Sequence, residues 1–159
     1  MTDKENVFVV VDPSKDVHVA FDRAIRTAPL RSVPPKLSVM VTANQESVDM
    51  SAKNDKLYRS ANWFDETIRK PLDDCGLEYE IQVSWSLDWQ ESILIAAKRA
   101  GATEIFLPMY SKPYSRRLTF SDSKWELFKR AKCPVILVRP DTALERKVIL
   151  AAVNFQATS

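Results

Sequence analysis

The chain is poor in glycine. Of 159 residues only Gly76 and Gly101 are glycine, where average usage would give about eleven. Neither G-x-x-x-x-G-K-[ST] nor G-x-G-x-x-G can be spelled with two, so the common phosphate-cradling loops are excluded. There is one histidine, His18, and two cysteines, Cys75 and Cys133. No Cys/His cluster for structural zinc can form, and H-E-x-x-H is absent. A Ser-His-Asp or Cys-His site would have to use His18. No apolar run reaches the roughly 18 residues of a membrane span. The cysteines do not make C-x-x-C, and no secretory leader precedes Val7; both read as reduced thiols of a cytoplasmic protein.

What is present is the composition of one ordinary domain: 45% apolar, 28% charged and a net charge of +2. A chain of this length buries roughly 70% of its unfolded surface without staples. The small charge argues against nucleic acid or an acidic membrane as the main partner.

Val7 to Val11 is continuously apolar and β-branched, as in a strand covered on both faces. Asp12-Pro13-Ser14 ends it. Val17, Ala20, Phe21, Ala24, Ile25 and Ala28 have helical spacing, and Pro29 with Pro34-Pro35 interrupts the chain before a second strand, Leu37 to Val41. Residues 44–56 are polar and weakly patterned. The best helical stripe follows: Leu57, Ala61, Phe64, Ile68, Leu72 and Cys75, with Pro71 inside it either kinking it or starting a new turn, and Gly76 as the left-handed residue beyond its end.

Tyr79, Ile81, Val83 and Trp85 alternate with polar residues, predicting a half-exposed strand at a sheet edge. Asp88 and Glu91 read as a capping box for a helix that turns Ile93, Ala96, Ala97 and Ala100 inward and stops at Gly101. Glu104 to Leu107 is a short strand ended by Pro108. Ser121 or Ser123 caps a helix with Trp125, Phe128 and Ala131, and Val135 to Val138 is a fifth strand stopped by Pro140. The alternation β-α-β-α-β-α-β-α-β predicts an α/β fold: a parallel sheet with right-handed crossovers and helices on both faces. In such sheets ligands sit beyond the C-terminal strand ends, where strand order reverses. Residues 1–140 read as one domain. Residues 141–159 read as a linker plus an extra apolar run, Val148 to Val153 before Asn154, which echoes Val7 to Asp12. That run is either an added edge strand or the first strand of a second, truncated copy.

These features together resemble the universal stress protein family: the opening strand ending in Asp12, the long second helix, the AAKRAGATEIFL passage and the closing FKRAKCPVILVRP. The VVVDPSKD start, the SDSKWELFKRAKCPV passage and KVILAAVN look most like the first half of its tandem-domain members. The resemblance covers residues 4–139. It implies a five-stranded sheet in the order 3-2-1-4-5, of the adenine nucleotide alpha hydrolase-like kind. It also implies pairing through the fifth strand, Val135 to Val138, as a homodimer or between tandem halves.

Many members of that family bind ATP with a motif after the fourth strand: Gly, two residues, Gly, nine residues, then Gly-Ser or Gly-Thr. Those positions fall on Pro108, Ser111, Ser121 and Asp122, and every glycine is missing. Glycines there let backbone N–H groups reach the phosphates. Pro108 has no N–H, and Asp122 and Glu126 bring carboxylates where phosphate charge would sit. Asp12 and Val41 fall on family positions beside the ribose and adenine; each also has a structural use, in ending a strand and filling a core.

The candidate nucleotide or anion site is therefore Asp12, Val41, Ser111, Lys112, Arg116, Arg117 and Ser121. Lys112, Arg116 and Arg117 form either a side-chain anion site replacing the glycine cradle or a solvated basic loop. Tyr110 and Tyr114 stack on a base or pack over strand ends. Trp85 and Trp89 line an apolar pocket or pack helix on sheet. His18 and Asp22, at i,i+4, are read as a surface pair rather than an acid–base site. Cys133 is read as a core thiol. The resulting expectation is a non-enzymatic stress-response protein without tight ATP binding, acting in assembly or in binding a small ligand. The alternative is an ATP-binding switch with a phosphate site built without glycine.

Overall fold

The computed structural model describes residues 4–43, 58–109, 127 and 129–140. Five strands form one parallel sheet in the order β3-β2-β1-β4-β5, where β1 is Asn6–Val11, β2 Lys36–Val41, β3 Tyr79–Val83, β4 Glu104–Pro108 and β5 Val135–Val138. β1 is central and buried along its whole length, which is why it carries no polar alternation. Its register pairs Val7–Val11 with Leu37–Val41 on one side, and Val7–Val9 with Glu104–Phe106 on the other. β3 lies at the edge and is only partly buried, in keeping with its alternating sequence. It stops at Val83, so Trp85 lies beyond the strand and half exposed.

Helices cover both faces. On one, α1 (Val19–Thr27) and the composite helix described below pack with Val7, Val9, Leu37 and Val39. On the other, α4 (Trp89–Ala100) and Leu127 pack with Phe8, Val10, Met40, Ile105 and Leu107. α1 begins two residues later than the apolar spacing suggests; Val17 precedes it and is 57% exposed. Pro29 does not break the chain abruptly. It sits in a 3-10 turn, Ala28–Leu30, that continues from α1, where its missing N–H costs nothing.

The long stripe forms a helix in three parts: α2 (Ala61–Trp63), a π-helical stretch (Phe64–Arg69) and α3 (Lys70–Cys75). Pro71 explains the middle part. It has no N–H to give and its ring crowds the turn before it. The turn widens, so that the Lys70 N–H bonds the Asp65 carbonyl five residues back. Ile68 and Leu72 remain fully buried, as the stripe requires. At the start of the helix the facing changes: Ala61 is exposed, and Trp63 packs against the core instead. Ser60 caps the helix, its side chain accepting from the Trp63 N–H. Gly76 ends it at φ 73° and Gly101 ends α4 at φ 67°, left-handed positions that favour glycine.

At the head of α4 the Asp88 side chain accepts from the Glu91 N–H, 3.0 Å. The reciprocal half of the expected box is not made. Ser86 Oγ takes the Asp88 N–H instead, and the Glu91 carboxylate pairs with Arg130 at 2.5 Å. Leu57, the residues 44–56, Trp125 and Phe128 and the whole of 141–159 lie outside the described residues, so the extra run Val148 to Val153 does too.

Candidate functional site

The parallel sheet brings five C-terminal strand ends to one edge, and strand order reverses between β1 and β4. A ligand crevice is expected there. β1 supplies Asp12, β2 supplies Val41 and Thr42, and β4 ends in Pro108. The Thr42 N–H donates to the Val11 carbonyl at 2.9 Å, so Thr42 lies beside the β1 end.

Asp12 is 5% exposed. Its Oδ1 accepts from the Ser14 N–H at 2.9 Å and from Ser14 Oγ at 2.6 Å. This is the local turn that an aspartate forms with the backbone two residues on, and it accounts for Asp12 as the residue that closes β1. Val41 is fully buried, packed with Val11 and Val39. Its carbonyl accepts from the Ser84 N–H at 3.0 Å. Pro108 is the last residue of β4, in register with Val138. Ser111, Lys112, Arg116, Arg117 and Ser121 lie outside the described residues, as do Tyr110, Tyr114, Asp122 and Glu126. Of the seven candidate site residues, the described structure thus places Asp12 and Val41 at neighbouring strand ends.

The loop after β1 carries a cluster that the sequence reading did not assemble. His18 is the N-cap residue of α1, and its ring is buried. It is not a surface partner of Asp22. A residue at the N-cap lies outside helical φ/ψ, so the i,i+4 geometry of a helix interior does not apply to it. The His18 ring meets Trp63 edge-on, with centroids 5.6 Å apart. The Arg59 guanidinium lies over the same indole, 5.1 Å from its centroid. Arg59 Nε donates to the Pro13 carbonyl at 2.9 Å, and Nη2 to the Lys15 carbonyl at 3.3 Å. Burial, then the Arg59 charge, lowers the His18 pKa below its ordinary 6.5; Asp12 and Asp16 oppose this. Burial also raises the Asp22 carboxyl. The one sequence signal for this cluster was an arginine and a tryptophan four apart at the start of a strong helical stripe.

The remaining candidates have structural uses. Trp89 is buried on the α4 face, whereas Trp85 stacks on exposed Tyr58 with centroids 5.1 Å apart. Cys133 packs against that same core, and burial raises its thiol pKa, the reverse of an activated nucleophile. Among the described residues no group of three His, Cys, Asp or Glu can hold a metal ion, and no helix is long and apolar enough to cross a membrane. A cavity of about 390 Å³, lined by Leu94, Ile95, Ile105 and Cys133 among others, lies near the starts of β4 and β5, away from Asp12.

No protein-family model matches the chain. It is 25% identical to universal stress protein E of Photorhabdus laumondii over 97% of its own length, and spans about half (51%) of that curated relative. A hypothetical protein solved as a test case of structural genomics aligns with a TM-score of 0.63 at 16% identity, covering 87% of this chain and 98% of that one. The universal stress protein from Archaeoglobus fulgidus, solved in complex with dAMP, aligns with a TM-score of 0.55 at 17% identity, covering 84% and 97%. The solved structures share the fold, with the strand order 3-2-1-4-5 that the resemblance implies.

Proposed function

We infer that the chain is a universal stress protein domain whose phosphate-binding half has been lost, and that it acts in assembly or in binding a small ligand rather than in catalysis. Sequence likeness along nearly its whole length and the shared fold support the family. The observation that carries the loss is Pro108. It ends β4 beside the strand-order reversal, at the position where the family's first phosphate-loop glycine falls. A proline there offers no N–H to an anion. The described groups at the nucleoside end also fit poorly. Asp12 Oδ1 already holds two bonds from Ser14, and the Val41 side chain is sealed in the core.

Calorimetric titration with magnesium–ATP, on protein stripped of carried-over ligand, tests this. We expect no binding heat up to millimolar ATP. Micromolar binding that Asp12→Ala and Arg116→Glu each abolish would overturn it in favour of the nucleotide switch. The Archaeoglobus fulgidus protein, which takes dAMP on the same fold, keeps that second reading in play.

For assembly, the supporting feature is β5. Among the described residues it pairs only with β4, and Ile136 is 37% exposed. An apolar strand edge of this kind is a template for a further strand. We propose that a second copy, or a second half of a longer chain, adds to it. Ile136→Lys is expected to shift the sedimenting species from dimer to monomer; an unchanged dimer in that variant would place the interface elsewhere.

A further inference from the structure

We propose that His18 is a pH-operated latch: protonation of its ring releases Arg59 and Trp63, at the start of the composite helix, from the segment between β1 and α1. The inference does not depend on whether the domain binds a nucleotide.

The geometry of the closed state is specific. His18 is 6% exposed, and both of its ring nitrogens are buried with no hydrogen-bond partner among the described residues. Buried polar atoms left this way are rare and mark a stored cost. The ring is held by its edge contact with Trp63. Arg59 lies over the same indole and ties down the neighbouring loop through the Pro13 and Lys15 carbonyls. One imidazole, one indole and one guanidinium therefore join the β1–α1 segment to the first turn of a helix on that face of the sheet.

Adding a proton changes each of these terms. The imidazolium presents two N–H donors where the described residues put no acceptor in place. It sets a second positive charge beside Arg59 and at the positive end of the α1 dipole. Among the described residues the charged groups that face it are Arg59, Asp12 and Asp16. Asp12 Oδ1 is already committed to Ser14. Asp16 has a side chain 70% exposed, with its Oδ1 3.5 Å from Arg59. Asp16 is thus the outward one of the two carboxylates, and it also helps hold Arg59. To reach Asp16 or water the ring must leave Trp63, and an Asp16 that turns to the imidazolium is drawn away from Arg59.

The direction follows from linkage. His18 is lowered by burial and by Arg59, so the closed state prefers the neutral ring. Its contribution is full above 6.5 and falls as pH drops below that value towards the folded pKa. Each unit of depression changes the opening equilibrium about tenfold.

Because the chain has a single histidine, one imidazole Cε1–H resonance reports its titration in the intact, 15N-labelled protein. The expected midpoint lies below 6.5. The Trp63 indole N–H and the amides of Lys15 to His18 and Ser60 to Trp63 are expected to shift with that same midpoint. Exchange protection of those amides, corrected for intrinsic rates, should fall across it, about tenfold for each unit by which the midpoint lies below 6.5. His18→Phe keeps an aromatic edge against Trp63 and should abolish the transition. Arg59→Gln removes the like charge and should raise the midpoint. A midpoint at or above 6.5 with Trp63 unmoved would overturn the latch, and so would an unchanged transition in His18→Phe. Should His18→Phe fail to fold, Arg59→Gln decides alone: an unmoved midpoint rejects the proposal.

Discussion

Phe8→Ala is expected to cost the domain about 3–5 kcal/mol, the range for emptying a fully buried phenylalanine site. Phe8 is 0% exposed in the central strand, with Ser38 of β2 and Ile105 of β4 beside it in register. Its ring fills the face covered by α4, among Met40, Trp89, Ile93 and Leu127. Backbone bonding to two strands prevents β1 from shifting into the void, so little of the cavity can collapse. Against a total of about 5–15 kcal/mol this is a large fraction, and the midpoint of thermal unfolding should fall roughly 6–20 °C. Trp85→Ala removes a larger side chain. It should still cost no more than about 1.5 kcal/mol, because the ring is half exposed and contributes mainly its stacking on Tyr58. Chemical denaturation of both variants checks the pair; equal losses would refute this division between core and surface.

The same contrast explains how much of the fold was legible in the sequence. Val7 to Val11 could be assigned to a doubly covered strand because burial on two faces removes polar alternation, and Tyr79 to Val83 to an edge because exposure restores it. Gly76 and Gly101 marked helix ends because few other residues take a positive φ. Periodicity says nothing, however, about how a helix absorbs a proline. The π-helical turn ahead of Pro71 rotates Ala61 outward and Trp63 inward, and no spacing rule for an α-helix contains that rotation. His18 was misplaced for a related reason: its partners Arg59 and Trp63 lie in a distant part of the chain, and only the packed helix brings them together.

The candidate site was legible in the opposite sense, through what is missing. Glycine scarcity is visible by counting, and its effect on an anion site needs only the rule that close backbone approach requires a residue without a side chain. In the fold Asp12 and Val41 lie at the ends of adjacent strands. Each also has a structural use there: Asp12 Oδ1 in the turn with Ser14, and Val41 in the core. A residue with a structural task of its own needs no ligand to account for it, so Asp12 alone is a weak argument for nucleotide binding.

The other end of the sheet holds a buried polar network, and Asn6→Leu should cost about 2–3 kcal/mol by breaking it, one lost hydrogen bond plus the penalty of unpaired buried groups. Asn6 opens β1 and is 5% exposed. Its Nδ2 donates to the Ala100 carbonyl at 2.7 Å, satisfying one of the acceptors that the end of α4 leaves open. Its Oδ1 lies 3.0 Å from Ser38 Oγ, whose single proton is shared with Glu80 Oε1 at 2.8 Å. Its backbone N–H and carbonyl both bond Thr103 Oγ1, at 3.1 and 3.0 Å. One amide therefore ties together β1, β2 and the passage from α4 into β4, and through Ser38 it reaches β3. Leucine has the same branched skeleton but makes neither side-chain bond, to Ala100 or to Ser38, while the backbone bonds to Thr103 remain. Asn6→Asp separates shape from chemistry. At pH 7 its carboxylate faces the Ala100 carbonyl and should be destabilising, whereas the protonated acid regains a donor, so the deficit should narrow as pH falls. Glu80 works against this in both proteins: Lys36 and then Ser38 lower its pKa below 4.5, so its contribution is held above that value and lost beneath it. The comparison therefore belongs between pH 5 and 7, where Glu80 is ionised throughout. A deficit for Asn6→Asp that is flat across that interval would show that the amide's donor is not what the α4 end requires.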